Sequence, residues 1–236
     1  MAVCFLAIGC GGSGNASPGL GSTTPPSVVQ VASFVAPVGQ NSSYSATFAH
    51  PVTAGDSIAA VFWWNYGIGW TISSVGDDKN DPFEQAFRLA IDENYSAWTY
   101  LSTNVSGGAT TVTVQVSNAN ADQFAIAILE VKGATGVDQT NGPNSASCNG
   151  LSTLCSSLPV TTKHPNELIL GFGVINVTGV VTPSSIMAGQ GFTEQFASDF
   201  FAVETEPVTS VGSYQATLTV PSGSEYWGDV GIVTIY

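Results

Sequence analysis

Basic residues are the scarcest feature of this sequence. Among its 236 residues, 4 Lys+Arg stand against 17 Asp+Glu, for a formal net charge of −13. A protein that binds nucleic acid needs a basic surface, because its cations replace those around the phosphates. The sequence therefore excludes nucleic acid as a partner and disfavours an anionic membrane surface. It is compatible with neutral polymers, with cations and with a soluble state outside the cell.

Charge of either sign is rare, and long apolar runs are missing. Charged residues make up 9% of the chain, compared with about 25% in average soluble domains. Thr, Ser, Asn and Gly supply the polarity instead, which is typical of an extracellular β protein. No run reaches the ~18 consecutive apolar residues that a membrane-spanning helix needs, so we expect no such helix.

Cysteine is also scarce, and its 4 copies fall into an N-terminal pair and an internal pair. Residues 1–10, MAVCFLAIGC, are apolar and end in small residues before Cys10. This resembles a bacterial lipoprotein signal, in which that cysteine is lipidated and becomes the mature N-terminus. The basic residues that usually open such a signal are missing, since the first Lys or Arg is Lys79. An unprocessed N-terminus is the alternative.

Residues 11–27, GGSGNASPGLGSTTPPS, contain no core-forming residues and predict a flexible tether. A tether after a lipidated cysteine suits a surface anchor, because buried acyl chains hold a protein at a membrane. We therefore expect an exported protein, either extracellular or anchored at the cell surface or outer membrane. Its only membrane contact would be the lipid on Cys10.

The internal cysteines, Cys148 and Cys155, lie in residues 133–159, a segment predicted to be a long loop. In an exported protein, two cysteines this close together are expected to form a local disulfide that pins the loop. The alternative is a metal site, but a second pair of nearby ligands is missing.

The chain is organised around residues 111–131, TVTVQVSNANADQFAIAILEV. Alternating Thr and Val residues, a polar turn and an apolar run predict a β-hairpin. Residues 216–236, ATLTVPSGSEYWGDVGIVTIY, repeat this pattern, and residues 166–173 repeat 55–62 at a similar spacing. A duplicated unit explains several such repeats in the same order better than chance does.

These repeats predict an all-β fold, an antiparallel β-sandwich of jelly-roll type built from two related halves. The halves are expected at about 28–133 and 160–236, packed into one core in a single domain, 28–236. The closing strands, 124–131 and 229–236, should lie at equivalent central places, because each is apolar and lacks Pro.

Three short motifs, at residues 55–58 (GDSI), 72–77 (ISSVGD) and 109–114 (ATTVTV), recur in a wider group of proteins. With them, residues 28–236 resemble a broad class of uncharacterised secreted bacterial β-sandwich proteins. The resemblance implies the fold and export. It implies no activity.

Aromatic residues cluster at the end of a predicted strand, SIAAVFWW. Neighbouring strand residues face opposite sides of a sheet, so Trp63 and Trp64 cannot both lie in one core. One of them should face the other side of the sheet, where it would be covered or exposed. An exposed Trp there could help form a flat platform for a sugar ring. The alternative is packing in the core, which is usual for aromatic residues in β proteins. The candidate ligand-binding residues are Trp63, Trp64, Tyr66 and Trp70, with Tyr226 and Trp227 at the predicted turn of the second hairpin.

The most charged loop, residues 76–81 (GDDKND), offers carboxylate and amide oxygens. Such ligands suit Ca²⁺, which takes 6–8 oxygens, although the spacing does not match an EF-hand and Lys79 lies in the middle. The alternative is a solvated turn, in which Asp and Asn favour tight backbone geometry. The candidate calcium ligands are Asp77, Asp78, Asn80 and Asp81. No other cofactor is expected.

The sequence contains no G-x-S-x-G, H-E-x-x-H or phosphate-binding motif. Its only histidines, His50 and His164, each lie beside a Pro in a predicted turn. Glycoside hydrolysis needs a pair of carboxylates. Glu204 and Glu206 lie two residues apart, on the same face of a predicted strand. The alternative is an ordinary solvent-facing strand, which shows the same pattern. The candidates for such a pair are Glu84, Glu93, Glu194, Glu204 and Glu206.

Together these features favour a non-catalytic exported surface protein that acts by binding, by adhesion or by assembly with copies of itself. A carbohydrate-binding or carbohydrate-cleaving sandwich acting on extracellular polysaccharide is the second hypothesis. The third is a structural subunit of a surface layer or filament, because uncharged Thr- and Val-rich strands can pair edge to edge.

Overall fold

The computed structural model describes residues 23–36, 39, 41–65, 71–90, 95–117, 123–142, 149–150, 153–178, 186–220 and 225–236. All regular elements of these residues are β-strands, paired antiparallel, which confirms the all-β prediction. No helix that could cross a membrane occurs in these ranges. The strands are β1 (Ser27–Ala36), β2 (Ser43–Thr47), β3 (Ser57–Asn65), β4 (Ile72–Asp77), β5 (Glu84–Ala90), β6 (Tyr95–Ser102), β7 (Thr111–Val116), β8 (Gln123–Lys132), β9 (Val137–Asn141), β10 (Asn149–Gly150), β11 (Leu154–Ser156), β12 (Val160–Thr161), β13 (Glu167–Thr178), β14 (Met187–Ala188), β15 (Thr193–Ala197), β16 (Phe201–Val208), β17 (Ser213–Tyr214), β18 (Thr217–Thr219) and β19 (Glu225–Ile235).

The strand order repeats along the chain. The first half has a five-stranded sheet, β1-β8-β3-β6-β5, and a three-stranded sheet, β2-β7-β4. The second half has the same arrangement in β9-β19-β13-β16-β15 and β11-β18-β14, with β10 beside β19 and β12 paired to β17. Each half therefore forms a jelly-roll-like sandwich, and the two halves are related as predicted.

Both central strands begin after the same kind of turn. Gly55 precedes β3 with φ 88°, and Asn166 precedes β13 with φ 61°. These are left-handed conformations, which Gly adopts freely and Asn tolerates better than most residues. β8 and β19 then occupy equivalent places, each between an edge strand and the central strand of its sheet, as expected from their apolar sequences.

The predicted hairpins are wrong. β7 pairs with β2 and β4, whereas β8, the next strand along the chain, pairs with β1 and β3 in the other sheet. The same separation holds for β18 and β19. Val112, Val114 and Val116 are buried as their alternation predicts, but they face β8 across a sandwich interior instead of lying beside it.

The described residues form three apolar clusters where one core was predicted. One lies inside the first half and includes Phe62 and Trp64. Another lies inside the second half and includes Ile169 and Leu218. The third contains side chains of both five-stranded sheets, among them Trp63. The two sheets therefore pack face to face, and the whole is a stack of four layers.

The segment predicted as a loop at 133–159 contains β9, β10 and β11. β9 pairs with β19, so it is the edge strand of the second large sheet. Its sequence, VDQTN, has little apolar character, which is why pattern alone did not indicate a strand.

Candidate functional site

Trp63 and Trp64, the expected sugar platform, are both buried. Their exposed fractions are 4% and 0%. Trp64 packs near Trp98 inside the first half, with ring centroids 6.3 Å apart. Trp63 packs near Phe200 of the second half, at 6.0 Å. The two rings lie on opposite faces of β3, as predicted, and of the two outcomes left open, covered or exposed, the covered one holds, because a second large sheet packs on the outer face of β3.

The other aromatic candidates are placed only in part. Tyr66 and Trp70 lie outside the described residues. Tyr226 and Trp227 lie in β19, where they pair with β13 and β10, and not in a turn. Ligand binding by these four residues stays a prediction.

The acidic loop at 77–81 bonds to its own backbone. One Asp77 oxygen accepts hydrogen bonds from the N–H groups of Lys79, at 2.9 Å, and Asp81, at 3.0 Å. Asn80 has a left-handed φ of 65°. Burial raises the pKa of the Asp77 carboxyl above its usual value. This arrangement is the tight turn that Asp and Asn favour.

The other two carboxylates tie this turn to the segment before β7. Asp78 accepts from the N–H groups of Thr110, at 2.8 Å, and Thr111, at 3.2 Å. Asp81 accepts from the N–H and hydroxyl of Ser106. Burial alone would raise the pKa of Asp78, but the bonds from Thr110 and Thr111 leave it lower than usual. Among the described residues no group of three His, Cys, Asp or Glu side chains is arranged to hold a metal, and calcium binding stays a prediction.

Glu204 lies in the interior of the second half. Its two oxygens accept hydrogen bonds from the N–H groups of Gly189, at 2.8 Å, and Thr217, at 2.9 Å. Burial raises its pKa to about 7. Glu206, two residues along, is half-buried, and burial raises its pKa as well. Glu204 is thus a buried link between two sheets and lines neither of the two cavities described below.

Of the remaining acidic and histidine candidates, Glu194 is paired with Glu204 in the register of β15 and β16, and Glu84, His50 and His164 lie in other segments of the chain. Glu194 is exposed on β15, and Glu84 borders a cavity at the start of β5. His50 is exposed, and the His164 ring stacks on Tyr236 with centroids 4.2 Å apart. Glu93 lies outside the described residues. Neither of the two cavities described below is lined by a pair of these acids.

Cys155 is buried in β11. Cys148, its predicted partner, and Cys10, the predicted lipidation site, lie outside the described residues. The Cys148–Cys155 disulfide and the lipid anchor therefore stay predictions.

Two buried acid pairs were not found from the sequence. Asp56 and Glu130 face each other in the first half. Burial raises the pKa of Asp56, and the hydrogen bond and negative charge of Glu130 raise it further. Glu130 also accepts hydrogen bonds from Gln30 and Thr53. In the second half burial, with a contribution from neighbouring Asp138, raises the pKa of Glu167. Asp56 and Glu167 occupy matching positions of the repeated motif. This match is the sequence signal from which a shared role of the two acids could have been predicted.

Two cavities lie where the halves meet. One, of about 380 Å³, is bordered by Glu84, Gln85 and Thr103 of the first half and by Thr135. The other, of about 310 Å³, lies at a different end of the strands. Trp63 and Phe124 of the first half and Asp199 and Phe200 of the second line this second cavity.

The free edge of β1 is the most apolar exposed feature of the first half. β1 ends the order of its sheet and contains no charged residue in SVVQVASFVA. Val29, Phe34 and Val35 are exposed by 52%, 40% and 52%. From Gln30 to Ala36 its pairing with β8 is regular, so this length of edge is straight enough to accept another strand.

The other outer strands of the large sheets are protected. β5 carries Glu84 and Arg88, β15 carries Glu194, and each has a register shift. β9 is followed by a segment that bonds to residues 158–159, through Gly142 and Asn141. Charges, bulges and covering segments are the usual protections of sheet edges. β1 has a register shift between Val28 and Gln30, but it lacks charge and cover among the described residues.

Comparison of the chain with protein-family models, with curated proteins and with solved structures found no match. Arguments about function therefore depend on the surfaces and cavities described above. Of these, the β1 edge and the second cavity have the chemistry of binding sites.

Proposed function

We propose that this chain is a non-catalytic exported surface protein that acts by binding, and that copies of it associate through β1. The single observation that supports this is the free edge of β1, which is long, uncharged and partly apolar. An unpaired strand edge presents N–H and C=O groups that another strand can bond. Pairing would also bury Val29 and Phe34.

A second copy is the occupant that fits this edge best. Two β1 strands can pair antiparallel about a twofold axis, and each then offers the other the same surface. Because β1 has no charged residue, the pairing brings no like charges opposite each other. The net charge of −13 repels copies elsewhere on the surface, so association should strengthen with salt.

β2, the strand that follows β1, is a second uncharged outer strand of the first half. β2 follows β1 in sequence and is the outer strand of the three-stranded sheet. Its sequence, SYSAT, is also uncharged. β9, the strand of the second half that matches β1, bonds to residues 158–159 at its C-terminal end, through Asn141 and Gly142. Among the described residues the side formed by β1 and β2 is therefore the more open one, and association through it gives a closed dimer before any larger assembly.

Export and anchoring are part of the proposal. The small residues before Cys10 and the tether at 11–27 support lipidation and a position on the cell surface. A chain held at a membrane has a high effective concentration. Weak pairing through β1 would then suffice.

Sedimentation of residues 23–236 over a range of concentrations tests the association. We expect a monomer–dimer equilibrium that Phe34→Lys or Val29→Lys shifts towards the monomer, because a charged edge opposes pairing. Val211→Lys is the matched control, since Val211 is exposed by 54% far from β1 in sequence and outside the strands. A monomer at every concentration, or an unchanged equilibrium in the Phe34 variant, would contradict the proposal.

Polysaccharide binding remains the second candidate, but with weaker support. Trp63 and Trp64 are buried, which leaves Tyr66, Trp70, Tyr226 and Trp227 as the candidates for contact with a sugar. Affinity gels over a broad polysaccharide panel test this, with Trp70→Ala expected to remove any retardation. Unchanged mobility on every polysaccharide would eliminate it.

A further inference from the structure

The second cavity has features that self-association does not explain. It measures about 310 Å³ and lies where the ends of β1, β3 and β8 meet the segment between β15 and β16. Pockets for small molecules usually measure about 300–1,000 Å³. Its size therefore suits a small ligand, or one end group of a larger one.

Two aromatic rings, those of Trp63 and Phe200, form one wall of the cavity. Phe124 also borders it, but its ring lies on the other face of the sheet, stacked on Tyr44. Trp63 is held in β3 and almost fully buried, at 4% exposure, and Phe200 is half-buried. The rings of Trp63 and Phe200 lie 6.0 Å apart and are tilted by 37°. Because these side chains are already held in place, ligand binding costs little conformational entropy. The faces of aromatic rings also attract cations.

The polar groups of the cavity are acidic or neutral. Asp199 is the only charged residue among those that line it, and Gln123 is also present. Within the described structure Asp199 makes no hydrogen bond and no ion pair, and its side chain is exposed. A cation would supply its missing counter-charge, and the chain as a whole, at −13, attracts cations.

We propose that this cavity binds a small organic cation, an alkylammonium group such as the trimethylammonium head of choline. The methyl groups would contact the wall of Trp63 and Phe200, and Asp199 would balance the charge. A neutral sugar could use Gln123 but would gain nothing from the charge of Asp199. The cation uses both features of the cavity.

Calorimetric titration of the chain with choline and with 3,3-dimethylbutan-1-ol, its uncharged isostere, tests this. We expect choline to bind about tenfold more tightly than the isostere, because only the cation gains from the rings and the carboxylate. Asp199→Asn should weaken choline binding about tenfold and leave the isostere unchanged. Glu194→Gln, which removes an exposed acid outside the cavity, should change neither.

Equal affinity for choline and its isostere would overturn the proposal, as would full choline binding in Asp199→Asn. The proposal would also be overturned if the folded chain did not bind choline, or if it bound glucose instead. Phosphatidylcholine vesicles then identify the source: binding that depends on Asp199 indicates a lipid headgroup, and binding of free choline alone indicates a soluble cation. Phe34 does not line the cavity, so Phe34→Lys separates this proposal from the association through β1.

Discussion

Gly171 on β13 lies opposite Glu204 on β16, and the glycine leaves room for the buried carboxyl group. A Cβ added at Gly171 would come within 2.6 Å of a Glu204 oxygen and within 2.7 Å of the Ala216 Cβ. Both distances are too short for real contacts. The missing side chain of Gly171 thus leaves the space that Glu204 occupies, and the Glu204 carboxyl group links two sheets of the second half.

Gly171→Ala should destabilise the protein by about 1–3 kcal/mol, because overpacking forces side chains and backbone to shift. Denaturant unfolding measures the change. Gly76→Ala is the control, since a Cβ there meets no atom within 4 Å, and its effect should be small. Equal stability of the Gly171 variant and wild type would show that the interior can adjust without cost.

The stability of the fold should fall as pH rises from about 5 to 8. Glu204 has its pKa raised to about 7 from a model-compound value of 4.5, so between these values the folded state binds more protons than the unfolded state. The contribution of Glu204 to the free energy of unfolding is therefore fully present below pH 4.5 and is lost as pH rises through 7. The loss is about 3 kcal/mol. Asp56 and Glu167, whose pKa values are also raised, act in the same direction.

Glu204→Gln removes this contribution. Its free energy of unfolding should depend less on pH between 5 and 8 than that of wild type, and it should be lower at pH 5 because its amide cannot accept both N–H groups. Glu84→Gln, which changes an exposed acid on β5 in the other half, should keep the wild-type dependence. A Glu204 variant with the full wild-type slope would refute the assignment of the titration to this residue.

Trp64→Ala should cost about 3–5 kcal/mol, because it leaves a large cavity in the interior of the first half. Thermal or denaturant unfolding shows the loss. Phe34→Ala, at an exposed aromatic residue on β1, should cost much less. A surface platform would instead predict that Trp64→Ala leaves stability unchanged, so a stable variant would contradict the burial of this side chain.

Asp78→Ala should destabilise the protein by about 1–2 kcal/mol at pH 7, because Thr110 and Thr111 lose their hydrogen-bond acceptor. The lowered pKa of Asp78 means that this contribution is present above the usual carboxyl range and is lost as pH falls through the folded-state pKa. The difference in free energy of unfolding between wild type and Asp78→Ala should therefore be largest at about pH 7 and shrink as the pH falls below the usual carboxyl range.

Calcium added in the same unfolding experiment separates two roles of the loop. If the carboxylates serve only to hold the turn, calcium leaves the wild-type midpoint unchanged. A midpoint that rises with calcium in wild type and not in Asp78→Ala would support the calcium hypothesis. Glu194→Ala, at an exposed acid, is the control for a general loss of charge.

Much of the fold could be predicted because it depends on local patterns. The alternation of Val112, Val114 and Val116 with Thr identified β7 and its buried face. The repeated motif, Gly55-Asp56 and Asn166-Glu167, identified the two halves, since each copy needs the same turn before its central strand. Such features depend on neighbours in sequence, and the sequence contains them in full.

The site was harder to predict because it depends on contacts between the halves. Trp63 could be assigned to one face of β3, but the alternation of a strand does not show that a second sheet covers that face. Nor does it show that Phe200 and Asp199 of the second half lie beside Trp63. The acid pair of Asp56 and Glu130 also joins residues far apart in the chain.

The sequence by itself determined that this is an all-β chain of two related halves with few charges, because strand patterns, turns and composition are properties of short segments. The tertiary structure decided which strands are neighbours, that β7 faces β8 across an interior, and that β1 is left with an open edge. Those outcomes follow from how whole sheets bury their apolar faces against each other, and no single segment carries that information.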